Sequence, residues 1–204
     1  MWNDTVIEAI RAHQHNVLDL RELKLGCYKT ASIEQRQLAI GTLLSELKYR
    51  PVEVRSALVN GIAQLVDREL PKHLMMTSQQ VAELHRSGMS IGAHTVNHPI
   101  LLDLEERTAH SEIALGKADL ERMTGSPVTL FAYPNGRPGR DYGAQHVQMV
   151  RELGFQAALS TAWGVSRYGS DIFQLPRFTP WDTSSWKYGA RLMQNLLRSS
   201  VEHV

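Results

Sequence analysis

The chain has 204 residues, of which 43% are hydrophobic and 21% charged, and its formal net charge is +1. This is ordinary globular composition, with enough apolar side chain for a core. Because the charge is nearly balanced and no basic run occurs, neither nucleic acid nor an anionic membrane is expected as a partner. No apolar run approaches the roughly 20 residues of a membrane span. The N-terminal residues lack signal-peptide features, which predicts a cytoplasmic protein if Met1 is the natural start.

Residues 1–88 are expected to be mainly helical. Three capping boxes are predicted to open helices, at Thr5–Glu8, Ser32–Gln35 and Thr77–Gln80. Pro51 suits the first turn of a further helix. Apolar residues recur at helical spacing in two segments, as Leu38, Ile40, Leu43, Leu44 and Leu47, and as Val54, Leu58, Ile62 and Leu65. Residues 17–28 alternate loosely and are predicted to hold one or two short strands.

Residues 89–204 alternate between strands and helices. Strands are predicted at 89–93, 128–132, 155–160 and 174–178, and helices at about 103–125, 142–153 and 185–197. This alternation predicts an α/β sheet with parallel neighbours. Functional groups in such sheets collect at the carboxyl ends of the strands. The chemistry is therefore expected in the loops at His94, at Asn135 and after Ser160.

Cys27 is the single cysteine, so an intrachain disulfide and a structural zinc site of several cysteines are both excluded. A lone thiol is more often a small core residue than a reactive group, and Cys27 is interpreted as a core residue.

Two histidines four residues apart, His94 and His98, follow the first strand of this second region and precede Pro99. Neutral imidazole is a common ligand for zinc and related divalent ions. The spacing alone is weak evidence, because nine histidines are present. Two polar residues in a solvated loop remain the simpler interpretation of the spacing.

The residues around the pair are more specific. Residues 92–99 read G-A-H-T-V-N-H-P, which resembles the G-x-H-[ST]-x-x-H-P metal-binding segment of the NodB-type polysaccharide deacetylases (carbohydrate esterase family 4). Residues 131–136, F-A-Y-P-N-G, stand in the place of the family's F-R-P-P-Y-G loop, and residues 175–177, L-P-R, in the place of its L-x-H element. The resemblance covers roughly residues 75–180.

The resemblance implies a single polysaccharide-deacetylase-like domain over residues 1–204, folded as a distorted, incomplete (β/α) barrel. Residues 1–88 resemble a helical insertion from a branch of the family tied to exopolysaccharide synthesis, and residues 89–204 form the α/β part with the site. The implied reaction is the metal-assisted removal of N-acetyl groups from a polysaccharide. Zinc is the expected metal, with cobalt or nickel as alternatives.

The family's site roles pass to this chain residue by residue. His94 and His98 take the place of its two metal-binding histidines. The backbone N–H of Asn135 takes the oxyanion-binding place. Arg177 stands where the family has its general acid. Arginine cannot give up a proton, so Arg177 either stabilises negative charge or is an ordinary surface residue. Ala132 replaces the arginine that orients the catalytic base.

The family's T-F-D-D element, which supplies the base and the third metal ligand, is not found in this sequence. Asp4, Asp19 and Asp67 precede the histidines, but none has that context. The chain therefore resembles a family member that begins after this element. Asp4 and Asp141 are the candidate substitute ligands, against the simpler interpretations of a helix cap and a solvated loop residue.

Aromatic side chains supply the candidate sugar contacts. Tyr133 and Trp163 are predicted to bind substrate, and Trp2 and Trp181 are further candidates for the same groove. Half-buried packing is the simpler interpretation of each.

Two alternatives to an active polysaccharide deacetylase stay open. One is a truncated or degenerate, non-catalytic homologue that binds sugar or forms a homo-oligomer through uncovered strands. The other is a helical interaction module spanning residues 1–88, with the α/β part as its scaffold. Substitutions at Leu43 or Leu58 that leave folding intact would support this module, whereas unfolding would indicate core positions.

Overall fold

The computed structural model describes residues 1–66, 69–71, 73–179, 181–198 and 201–204. The chain divides into two compact units, Met1–Thr77 and Ser78–Val204. Each unit has a buried apolar cluster of its own. No helix of the described residues has the length and apolar character needed to cross a bilayer.

The first unit is mainly helical, as predicted. Its elements are α1 (Trp2–Ala12), β1 (Val17–Asp19), a 3-10 turn (Arg21–Leu23), β2 (Cys27–Lys29), α2 (Ile33–Lys48) and α3 (Val52–Gln64). The two short strands predicted between the first helices are confirmed. They form an antiparallel pair in which Leu18 lies opposite Tyr28.

The capping chemistry of this unit is confirmed at one box and wrong at another. The Ser32 side chain accepts a hydrogen bond from Gln35 N at 3.2 Å, and the Gln35 side chain accepts one from Ser32 N at 3.4 Å. Thr5, however, lies inside α1, which begins one turn earlier at Trp2. Its hydroxyl donates to the carbonyl of Met1 at 3.3 Å and caps nothing.

The first core forms between α1, α2 and α3. Leu43 and Leu47 of α2 and Ile62 of α3 are completely buried. The predicted apolar face of α3 was partly wrong, because Val54 is exposed while Arg55 is buried with its guanidinium over the ring of Trp2. Because Leu43 is a core residue, the interaction-module hypothesis, which needs it on the surface, is contradicted.

Cys27 is exposed, so its prediction as a core residue is wrong. It lies on β2 next to Tyr28, and successive side chains of a strand point to opposite faces. Tyr28 is half-buried and packs against the first core. Cys27 therefore faces away from that core.

The second unit alternates helices and strands. Its elements are α4 (Ser78–Arg86), a 3-10 turn (Leu101–Asp103), α5 (Glu106–Thr124), β3 (Leu130–Ala132), α6 (Ala144–Glu152), β4 (Ala157–Ser160), β5 (Leu175–Pro176) and α7 (Ser185–Leu196). The strands form one parallel sheet in the order β3-β4-β5. Gly125 and Gly154, with φ of 67° and 74°, follow the C-terminal ends of α5 and α6 as predicted.

The strand predicted at 89–93 is reduced to a single parallel bridge between Ala93 and Phe131. Ala93 N donates to Leu130 O at 2.8 Å, and Ala132 N donates to Ala93 O at 2.9 Å. The mixed α/β class is confirmed. Among the described residues the sheets have two and three strands, and neither closes into a barrel.

Candidate metal-binding site at the strand ends

Four parallel chain segments lie side by side in the second unit: the bridge at Ala93, then β3, β4 and β5. Because they run in the same direction, the residues after each of them leave at the same edge of the sheet. His94, Tyr133, Thr161 and Arg177 are those residues. The expected clustering of the loops at one edge agrees with this geometry.

The backbone between the two histidines is strained. Thr95 and His98 adopt positive φ values of 62° and 53°. A residue with a Cβ pays about 1–2 kcal/mol in this left-handed region, and a β-branched residue such as threonine is rarely found there. The Thr95 hydroxyl oxygen accepts a hydrogen bond from His98 N at 3.1 Å and closes the turn. Such strain persists only where neighbouring structure holds it.

The two imidazoles are close enough to share one metal ion. Their ring centroids lie 4.7 Å apart, with the planes inclined by 73°. Two imidazoles on one tetrahedral metal, each with its nitrogen about 2.1 Å from the ion, have centroids about 5 Å apart. His94 Nδ1 donates to the carbonyl of Ala132 at 2.7 Å, because a carbonyl can only accept. Nε2 of His94 is thereby left with its lone pair for a ligand.

The structure does not bring a third ligand to this pair. Among the described residues, no group of three or more His, Cys, Asp or Glu side chains could hold a metal ion. Asp141 is completely buried, and its Oδ2 accepts a hydrogen bond from Arg137 N at 2.9 Å. Asp4 belongs to the first unit, and Asp67 lies outside the described residues. The pair fits a divalent ion as two of its ligands.

The loop after β3 is arranged to present a backbone N–H. Asn135 and Gly136 both have positive φ, 58° and 75°. Thr161 fastens this loop, since its hydroxyl donates to Asn135 O at 2.7 Å and its N–H to Gly136 O at 2.8 Å. A Cβ on Gly136 would stand 3.0 Å from Thr161 N, so this close approach requires glycine. Among the described residues, no acceptor is assigned to Asn135 N–H.

Arg177 is exposed directly after β5, where its N–H donates to Ser160 O at 3.0 Å. Neighbouring strands lie about 4.8 Å apart. Because β3 and β4 lie between β5 and the bridge at Ala93, the backbone of Arg177 is about 14 Å from that of His94.

Tyr133, predicted to bind substrate, is instead a core residue with 2% exposure. Its ring stacks on Tyr142 with centroids 3.8 Å apart, and its hydroxyl donates to Phe173 O at 3.0 Å. Burial raises the pKa of Tyr133 well above its usual value. Trp163 is 37% exposed and packs edge-on against Phe178. Of the two predicted sugar contacts, only Trp163 has surface for a ligand.

Sequence reasoning missed Glu112 and Gly116, both on α5. Glu112 accepts three hydrogen bonds from the segment between the histidines, and Gly116 lets α5 approach the backbone of Thr95 closely. Their spacing of four residues puts them on one face of the helix. Nothing in the sequence pattern of α5 reveals which loop that face meets.

Comparison with known proteins gives consistent matches. The sequence model of the polysaccharide deacetylase family matches residues 58–158. YxkH of Bacillus subtilis (strain 168), which is named as a polysaccharide deacetylase, is 28% identical over 102 residues, or 50% of this chain and 35% of that protein.

Two solved structures share the fold. The Streptococcus pyogenes deacetylase PplD, in complex with acetate, aligns with a TM-score of 0.53 at 24% identity, over 62% of this chain and 53% of that one. IcaB from Ammonifex degensii aligns with a TM-score of 0.51 at 26% identity, over 63% and 57%. The chain therefore spans about a third of the curated relative and somewhat more than half of each structure.

The parallel sheet and the histidine loop at its edge define an α/β protein of the NodB type. Residues 58–158 match the polysaccharide deacetylase family, which confirms the resemblance found in the sequence motifs.

Proposed function

We propose that this chain contributes the histidine pair to a metal-dependent hydrolase that removes N-acetyl groups from a polysaccharide. The observation that carries the proposal is the His94/His98 loop. It lies within the family match, its rings are spaced for a shared ion, and the Ala132 carbonyl orients one of them. The proposed metal is zinc, with cobalt or nickel as alternatives.

The chain's own groups have distinct roles in this proposal. His94 and His98 would hold the metal, which supplies polarisation of the amide carbonyl and acidification of water. Asn135 N–H would donate to the oxygen that becomes negative as the acetyl group is attacked. Arg177 would add positive charge further along the same edge. Among the described residues no carboxylate joins the histidines.

An extended, N-acetylated polymer fits this edge better than a single sugar does. The backbones of His94 and Arg177 are about 14 Å apart, and one sugar residue is shorter than that. Trp163 is partly exposed after β4, between these two positions in the order of the sheet. The incomplete (β/α) barrel belongs to the same proposal, with the sheet β3-β4-β5 as part of its wall.

Metal-dependent release of acetate tests the proposal. The chain is incubated with N-acetylglucosamine oligomers and polymers in the presence of Zn²⁺, Co²⁺ or Ni²⁺. We expect acetate release that requires added metal and falls at least about 100-fold in His94→Ala and His98→Ala. The control is His15→Ala, an exposed histidine of the first unit that should retain full release. Release without metal, equal release by the variants, or none by the parent chain would overturn the proposal.

A further inference from the structure

The segment between the two histidines is held by one side chain of α5. Glu112 Oε2 accepts hydrogen bonds from Val96 N at 3.0 Å and from Asn97 N at 2.9 Å. Its Oε1 accepts one from Asn97 Nδ2 at 2.7 Å. A carboxylate acceptor makes these charge-assisted bonds, which are stronger and more directional than neutral ones.

We propose that Glu112 is the positioning residue of the His94/His98 pair, an inference that rests on the proposed metal-binding function. In the part of the chain that the structure describes, Glu112 is in no group of three or more His, Cys, Asp or Glu side chains that could hold a metal ion, so its action passes through the backbone. By fastening Val96 and Asn97, it holds the turn in which Thr95 and His98 have positive φ.

The packing of α5 supports this assignment independently. Gly116 lies four residues after Glu112 and is buried. A Cβ at that position would stand 2.9 Å from the carbonyl carbon of Thr95 and 3.0 Å from its oxygen. One face of α5 therefore supplies both the Glu112 carboxylate, which accepts from the turn, and the space at Gly116, into which the backbone of the turn fits.

The consequence is that the histidine pair is arranged before any metal binds. Two loop histidines without this anchor would lose conformational freedom on binding an ion, which weakens affinity. Outer-shell groups that orient ligands typically affect metal affinity by 10–100-fold. Loss of the Glu112 carboxylate is expected to have an effect of that size.

Two readouts test the role. The first is Co²⁺ affinity, followed by the visible absorption of bound Co²⁺. The second is the ¹H–¹⁵N spectrum of the imidazole rings in metal-free protein. The variants are Glu112→Ala, Glu112→Gln and the milder Asn97→Ala, which removes one of the three bonds. The matched control is Glu121→Gln, because Glu121 also lies on α5 and accepts one backbone bond, from Val128 N at 3.0 Å.

We expect Glu112→Ala to weaken Co²⁺ binding about 10–100-fold and to shift or broaden the His94 and His98 signals. Asn97→Ala should act in the same direction but less, which keeps the test valid if Glu112→Ala does not fold. Glu121→Gln should change neither readout. Unchanged affinity and unchanged imidazole signals in the Glu112 and Asn97 variants would overturn the role.

The two proposals fail separately. If the parent chain binds Co²⁺ and the Glu112 variants bind it equally well, the positioning role is wrong while the metal site stands. If the parent chain binds no Co²⁺, the proposed function fails. The imidazole spectra of metal-free protein then still decide whether Glu112 orders the pair.

Discussion

At the scale of single residues, the site depends on backbone conformations that L-amino acids avoid. Thr95, His98 and Asn135 all have positive φ without being glycine. Each is fixed by contacts from elsewhere in the second unit: α5 holds the histidine turn, and Thr161 holds the Asn135 loop. Strain that is held in this way orients functional groups that an unstrained loop would leave mobile.

Gly116→Ala tests the close contact between α5 and the histidine turn. The new Cβ would lie 2.9 Å from a backbone carbon of Thr95, where no flexible side chain can move aside. We expect a loss of about 1–3 kcal/mol in the free energy of unfolding, together with weaker Co²⁺ binding. Chemical denaturation and Co²⁺ titration measure the two effects.

Gly41→Ala is the control for that substitution. Gly41 lies on an exposed position of α2, and a Cβ there meets nothing within 4 Å. Because alanine favours a helix over glycine by about 1 kcal/mol, we expect this variant to be slightly stabilised. Equal changes in the free energy of unfolding for Gly116→Ala and Gly41→Ala would contradict the close contact between α5 and Thr95.

At the scale of elements, local sequence chemistry accounts for several helix ends. The Ser32–Gln35 box begins α2, and the left-handed glycines at 125 and 154 follow α5 and α6. The start of α1 is set by packing instead. Because apolar Trp2 and Val6 pack in the first core, α1 begins one turn before the Thr5–Glu8 capping box.

Ser32→Ala is expected to cost about 1 kcal/mol, because it removes the acceptor for Gln35 N at the start of α2. Denaturant unfolding followed by circular dichroism measures it. Ser184→Ala is the matched control, since Ser184 precedes α7 without a capping bond and its buried hydroxyl has no assigned partner among the described residues. That variant should be neutral or slightly stabilising. A cost as large as that of Ser32→Ala would contradict this prediction.

At the scale of the whole molecule, each of the two units has its own core, while apolar surface remains exposed. The side chains of Trp186, Met193 and Leu197 in and next to α7 are 57–76% exposed, whereas polar Asn195 is buried and donates to Gly164 O. Exposed apolar patches often mark contact surfaces. The predicted homo-oligomer stays a prediction, which sedimentation of the chain at several concentrations can check.

Stability of the chain should fall in mild acid because of one buried histidine. Burial lowers the pKa of His146 below its usual value, although a hydrogen bond to the backbone of Leu101 and the charge of Glu106 act in the opposite direction. Its Nδ1 accepts from Gly143 N at 3.0 Å and cannot do so when protonated. The unfolded chain therefore takes up the proton first as the pH falls. The contribution of neutral His146 to the free energy of unfolding is complete above about pH 6.5. It is lost as the pH falls from there through the folded-state pKa of His146.

The free energy of unfolding measured between about pH 5 and 7.5 checks this expectation. His146→Gln should flatten the pH dependence, and the exposed-histidine variant His110→Gln should keep the slope of the parent chain. An unchanged slope in His146→Gln would assign the acid sensitivity to other groups.

The α/β class, most elements of the second unit, the family resemblance and the histidine pair were predictable from the order of residues along the chain. These predictions rest on capping residues, on apolar periodicity and on a contiguous motif, all of which are local features of the sequence. Tertiary structure alone decided that Tyr133 is a core residue, that Cys27 is exposed and that 89–93 pairs only at Ala93. It also brought Glu112 onto the histidine turn. These features depend on contacts between helices, strands and loops that are distant along the chain. A local sequence pattern does not show which of these elements come into contact.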